Sequence, residues 1–167
     1  MRKLLDTLYE GAAWLAALFM IGLLLMVLLS IVSRQLHFHV PGTDAYAGYL
    51  MAASGFLALA HTLKKGEHIR VTLLLGHLRG AARRGMEIWA LAAASALAGL
   101  FAFYSVRLAW QSHKFHDIST GNDATPLWIP QIGMALGTLI LAIALVDELV
   151  LEIRGARATT DQAARNE

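Results

Sequence analysis

Four stretches without Asp, Glu, Lys or Arg divide this chain: Gly11 to Ser33, Ala45 to Leu63, Ile88 to Val106 and Ala124 to Val146. They are 19 to 23 residues long and together hold half of the 167 residues. A bilayer core about 30 Å thick takes roughly 20 helical residues to cross. Lipid offers no partner to backbone N–H and C=O groups, so each stretch is expected to form an α-helix. The expected fold is all-α: an integral membrane four-helix bundle with spans near 11–33, 45–63, 87–110 and 126–151. These form a single membrane domain over 1–155, and 156–167 is expected to be a polar, disordered C-terminal tail. With 57% hydrophobic and 16% charged residues, there is no composition left for a separate soluble domain.

Charge sets the expected orientation. Of the 14 Lys and Arg, eleven lie in the N-terminus (Arg2, Lys3), the second connection (Lys64, Lys65, Arg70, Arg79, Arg83, Arg84) and the tail (Arg154, Arg157, Arg165). Only Arg34, Arg107 and Lys114 lie in the first and third connections. By the positive-inside rule, both termini and the second connection are expected in the cytoplasm. Nucleic acid would also suit a basic loop, but the juxtamembrane position accounts for it and no nucleic-acid partner is expected. There is no cysteine, so disulfides, thiol catalysis and thiolate metal sites are excluded. The apolar run after Arg2-Lys3 is too long for a signal-peptide core and shows no small-residue cleavage site, so it reads as an uncleaved first span.

The first span, with its run Leu23 to Leu29, is expected to face lipid in part. Pro41-Gly42 makes a turn before the second span. That span carries small residues at Ala45, Gly48, Ala52 and Gly55, at three- and four-residue spacing on one helix face. Small faces let membrane helices approach closely. Ala92, Ala96 and Gly99 repeat the pattern in the third span. Gly133 and Gly137 form a GxxxG in the fourth, which reads first as packing within the chain. Between the second and third spans, 67–78 mixes apolar side chains with His68, Arg70 and His77 and suits a short amphipathic connection at the cytoplasmic surface. Gly121, Asn122, Asp123, Thr125 and Pro126 are turn formers. Trp110 and Trp128 sit where interfacial anchors belong.

Chemistry has little to work with. Ionisable residues inside spans are the usual mark of a transport or proton path, and here Arg34, Glu87, Arg107, Asp147 and Glu148 all fall at span ends. No inverted repeat or paired broken helices build a midplane site. A self-contained carrier is therefore not expected, nor a small exporter that would need an intramembrane carboxylate. Haem would need histidines on facing helices at matched depth. Of His37, His39, His61, His68, His77, His113 and His116, only His61 approaches a span interior. His113, His116 and Asp117 make a weak metal pattern that reads as solvated loop residues. No nucleophile–base pair or phosphate-binding glycine loop is present, so no enzyme activity and no cofactor are expected. A four-helix membrane anchor or cytochrome-type subunit of a redox complex is the alternative class.

Two connections carry a resemblance. Gly66-Glu67-His68-Ile69-Arg70-Val71 follows the second span, and Thr125-Pro126-Leu127-Trp128-Ile129-Pro130 opens the fourth. With Arg34 closing the first span, they resemble the small permease subunit of TRAP transporters, the DctQ-like family, from about Leu5 to Arg154. That family often has an acidic pair after a Trp at the start of span two, where this chain offers only Asp44. The resemblance implies a bacterial or archaeal inner-membrane complex. In it, a periplasmic binding protein delivers an organic acid, such as a dicarboxylate, to a large elevator-type permease subunit that couples uptake to sodium. The small subunit scaffolds the large one. Interface roles are then expected for Arg34 (with lipid headgroups or the large subunit), Asp44, Glu67, His68, Arg70, Pro126, Trp128 and Pro130. Helix-packing roles are expected for Gly48, Ala52, Gly55, Gly133 and Gly137.

Overall fold

The structure, a computed structural model, describes residues 2–38, 40–65, 81–121 and 123–155. The expected amphipathic connection, with Glu67, His68 and Arg70, and the expected tail 156–167 lie outside them. The described residues form four helices: α1 (Arg2–Gln35), α2 (Thr43–Lys64), α3 (Ala81–Phe115) and α4 (Trp128–Ile153). At 1.5 Å per residue, α1 with 34 residues and α3 with 35 run about 50 Å. Both exceed a bilayer core of about 30 Å by several turns. The helices thus outrun the uncharged stretches, because amphipathic turns on either side continue the same hydrogen-bond ladder.

Three helices, α1, α3 and α4, are long and apolar enough to cross a membrane. α2, rich in Ala and with two Gly and two Tyr, falls short of them in hydropathy. It is nevertheless the central element. α1 packs along α2, α2 along α4 and α4 along α3, with only slight contact between α1 and α4. The all-α membrane bundle is therefore a row, α1–α2–α4–α3, rather than a ring closed around an axis. Position in the row explains the compositions. The outer helices leave large apolar side chains uncovered, among them Trp14, Leu18, Leu24 and Leu25 on α1 and Trp89, Leu97, Phe103 and Trp110 on α3. The inner helices meet neighbours on two sides, and their buried faces use mostly small side chains.

The seams are built from those small residues. Ala12 and Ala16 of α1 pack on Leu57 of α2, and Tyr9 packs with Ala60 and Ala144, joining α1, α2 and α4. Ala98, Ala102, Ser105 and Ser112 are the buried residues of α3, at the spacing of one helix face. The rings of Phe56 of α2 and Phe101 of α3 meet at a tilt, 5.8 Å between centroids.

Helix ends have specific stops. α1 closes with His37 in the left-handed region (φ 57). There, Phe38 N–H donates to Ser33 O at 3.1 Å and His37 N–H to Arg34 O at 3.4 Å. α3 closes the same way on His116 (φ 55), with Asp117 N–H to Ser112 O and His116 N–H to His113 O. This paired bond pattern is a Schellman cap, which most helices finish with Gly. Histidine is among the side chains that tolerate this region. The connections 36–42 and 116–127 lie at the same end of the row, here the loop end. The start of α1, the end of α2, the start of α3 and the end of α4 lie at the other end.

Candidate functional site

The row is apolar along its middle and polar at both ends. At the loop end, the segment after α3 folds back through an antiparallel bridge between Ile118 and Pro126. It is held by Ser119 N–H to Thr125 O (2.8 Å) and Leu127 N–H to Asp117 O (3.0 Å). This brings Asp123 against α2. The Tyr49 hydroxyl donates to Asp123 Oδ2 (3.1 Å) and the Ser119 hydroxyl to Oδ1 (2.8 Å). Thr125 Oγ1 donates to the Tyr46 hydroxyl at 3.1 Å. The hydroxyls around the Asp123 carboxyl, Thr125 first and then Ser119 and Tyr49, hold it below its usual range despite some desolvation, because hydrogen bonding favours the charged form. Gly42, at φ 83, sits beneath this latch. A Cβ there would come 2.8 Å from Asp123 Cβ, so both the conformation and the contact require glycine.

Beside the latch, Arg34 from the end of α1 meets Asp44 from the first turn of α2, Nη2 to Oδ2 at 3.4 Å. Ser30 Oγ donates to the other Asp44 oxygen at 3.2 Å. Two of the expected interface residues are thus partners of each other. Pro126 stands at the bridge, and Trp128 opens α4 with its ring edge against His113 at 5.2 Å. Pro130 lies in the first turn of α4, where a missing N–H costs nothing. The three expected residues therefore form the α3–α4 corner, next to the latch and separate from the Arg34–Asp44 pair.

At the opposite end, Lys64 of α2 donates to Asp147 Oδ2 and lies 3.2 Å from Glu148 Oε1, both on α4. All three side chains are about four-fifths buried or more. The ammonium also stands 5.3 Å above the ring of Tyr9 on α1, within cation–π range. α1, α2 and α4 are pinned at one point. α3 joins through Arg84, whose Nη2 donates to the Ile153 carbonyl at 2.9 Å. A cation there suits the negative end of α4.

The glycines separate into two groups. At Gly133 an added Cβ would come 2.8 Å from Ala53 Cβ, and at Gly137 2.5 Å from the Phe56 carbonyl carbon. These two lie in the α2–α4 seam. Gly48 and Gly55 have nothing within 4 Å of a built Cβ, and Ala52 is exposed. The stripe Gly48, Ala52, Gly55 therefore faces away from the rest of this chain, and the inward face of α2 is Ala53, Leu57 and Ala60.

Tyr46, Tyr49, Ser119, Asp123 and the Lys64–Asp147–Glu148 cluster had no place among the expected site residues. Their partners on facing elements lie 70 or more positions away, beyond any local pattern. The one available signal was a lysine and two carboxylates closing expected spans at the same end. His61 and His113 stand at opposite ends of the row, in the last turns of α2 and α3. No group of three or more His, Cys, Asp or Glu able to hold a metal ion occurs among the described residues.

An apolar row of long helices with its charges confined to two ends defines an integral membrane subunit of the helix-bundle class. The family model described as "Tripartite ATP-independent periplasmic transporters, DctQ component" matches residues 23–155. The chain belongs to that family, and it is the small-subunit type of a TRAP transporter. Comparison with curated proteins gave no match.

Proposed function

We propose that this chain is the non-catalytic scaffold of its transporter. In this reading it seats the large elevator-type permease subunit for sodium-coupled uptake of an organic acid brought by a periplasmic binding protein. The observation that carries the reading is the row itself. Helices stacked α1–α2–α4–α3 enclose no axis along which a solute could pass, so a path has to be completed by another chain. Three hydroxyls within the helices agree with this, whereas those of Ser95 and Ser105 on α3 are buried without a hydrogen-bond partner among the described residues. Ser33 and Ser54 donate to carbonyls three residues back, and Thr138 to those three and four back. Their hydrogen bonds are satisfied within their own helices and are not offered to a lumen.

An elevator domain moves against a part that stays still. A broad row with lipophilic outer helices widens and anchors such a part in lipid. α2 serves as the fourth span, carried across by its neighbours rather than by its own hydropathy. The charge distribution supports a cytoplasmic side for both termini in the inner membrane. The loop end, with Pro126, Trp128 and Pro130 at its corner, then faces the periplasm, where the binding protein docks transiently.

The test is co-purification from the native membrane in mild detergent. A stoichiometric large permease subunit, together with lost organic-acid uptake when this chain is deleted, is the expected result. A chain that purifies alone, or with a haem absorbance band, overturns the reading and returns the redox-anchor class.

A further inference from the structure

The groove between the end of α1 and the start of α2 has the chemistry of a zwitterion. It is a cavity of about 390 Å³ whose lining includes Ser30, Arg34, His37, Phe38, Thr43 and Asp44. That volume falls among small-ligand pockets, about 300–1,000 Å³. A fixed cation and a fixed carboxylate share its mouth, 3.4 Å apart, with side chains 73% and 78% exposed. An exposed pair of this kind is held together weakly. Each partner is free to trade the other for a ligand group of opposite charge, and a ligand carrying both charges satisfies both at once.

We propose that this groove binds the headgroup of a phospholipid bearing a primary ammonium, a phosphoethanolamine headgroup. The phosphate is taken by the planar fork of Arg34, which suits two phosphate oxygens, with His37 as a second donor on the same rim. The ammonium is taken by Asp44, whose Oδ1 already accepts a hydrogen bond from Ser30. A primary ammonium has three N–H donors to give, whereas a trimethylammonium has none, and a glycerol headgroup brings no cation to Asp44.

A membrane lipid fits better than a free zwitterion because of what adjoins the cavity. The preceding turns of α1 expose Leu28, Leu29, Ile31 and Val32, and Phe38 is exposed on the lining itself. Charged headgroup chemistry thus stands directly on an uncovered apolar helix face, as a lipid with its chains along α1 requires. The inference does not depend on the scaffold reading, since it concerns this chain's own groove.

The experiment is native mass spectrometry of the purified full chain. The chain is equilibrated in mild detergent with equimolar phosphatidylethanolamine, phosphatidylcholine and phosphatidylglycerol of matched acyl chains. The ethanolamine lipid should be retained over each of the others by about tenfold, the scale of one charge-assisted hydrogen bond at a partly wet site. Arg34→Gln should lower its retention. Asp44→Asn should bring the ethanolamine-to-glycerol ratio near one while lipid binding persists. Both positions are exposed, so unchanged circular dichroism is expected for the variants. Equal or greater retention of phosphatidylglycerol by the unaltered chain, equal retention of all three lipids, or a preference that survives Asp44→Asn overturns the proposal. Displacement of the lipid by an equal concentration of soluble O-phosphoethanolamine overturns the lipid assignment.

Discussion

Replacing Gly137 by alanine should loosen the α2–α4 seam. Carbon atoms in good contact sit about 3.5–4.0 Å apart. A Cβ at Gly137 would lie 2.5 Å from the Phe56 carbonyl carbon, 2.6 Å from its oxygen and 2.7 Å from its Cβ. The shortfall is therefore about 1 Å. Two of the three obstructing atoms are backbone, so no rotamer change relieves it and α2 must shift away from α4. Overpacking of this kind costs about 1–3 kcal/mol. Alanine returns up to about 1 kcal/mol through helix propensity, which leaves a net loss of about 1–2 kcal/mol. Gly137→Leu should lose more. Gly48→Ala and Gly55→Ala meet open space, so they keep the propensity gain and should be neutral or stabilising by up to about 1 kcal/mol. The assay is equilibrium unfolding of the purified chain in detergent micelles titrated with SDS, followed by fluorescence of the four tryptophans. A Gly137→Ala chain as stable as the original, or a Gly48→Ala chain that loses as much, would refute the seam assignment.

Two further outcomes follow from the polar ends. Lys64→Met removes the cation that the Asp147 and Glu148 carboxylates share in a largely buried setting. It should cost about 2 kcal/mol in the same SDS titration, below the 3–5 kcal/mol of a fully buried broken pair, and adding Asp147→Asn and Glu148→Gln should recover most of it. At the loop end, the Asp123 carboxyl titrates lower in the folded chain than in the unfolded one. Its contribution is therefore fully present above the ordinary carboxylate value of about 3.9 and fades as pH falls through the lowered folded value. Protection of the 117–127 amides against hydrogen exchange, taken relative to the intrinsic rate at each pH, should hold at neutral pH and be lost only in strong acid, and Asp123→Asn should lower it at neutral pH. Protection in the unaltered chain that is lost well above the carboxylate range would show that another group holds the latch.

Much of the candidate site was legible as residue identity but not as partnership. Arg34 and Asp44 stood out because each is a charge at a span end, and they prove to bind each other across a ten-residue corner. Lys64, Asp147 and Glu148 were equally visible as charges, yet a separation of 83 residues hides their pairing from any local reading. His37 and His116 read as loop or span-end residues and serve as left-handed helix caps. The usual signal for that conformation is glycine, which neither position has. Gly133 and Gly137 had packing as their first reading and lie in a seam, whereas Gly48 and Gly55 share their spacing and face outward.

The sequence by itself determined the class. The length of an uncharged run against the thickness of a bilayer is a one-dimensional comparison, and so is the count of basic residues per connection. The helices and their approximate ends follow from these without any knowledge of contacts. The tertiary structure alone decided the row order, the ion pairs and the direction each small stripe faces. Periodicity defines a helix face without naming its neighbour, and a step of one residue turns the face by about 100°. Ala52 and Ala53 are adjacent in sequence, and one is exposed while the other is buried against Gly133. Only the packing of α2 between α1 and α4 selects which of the two lies inside.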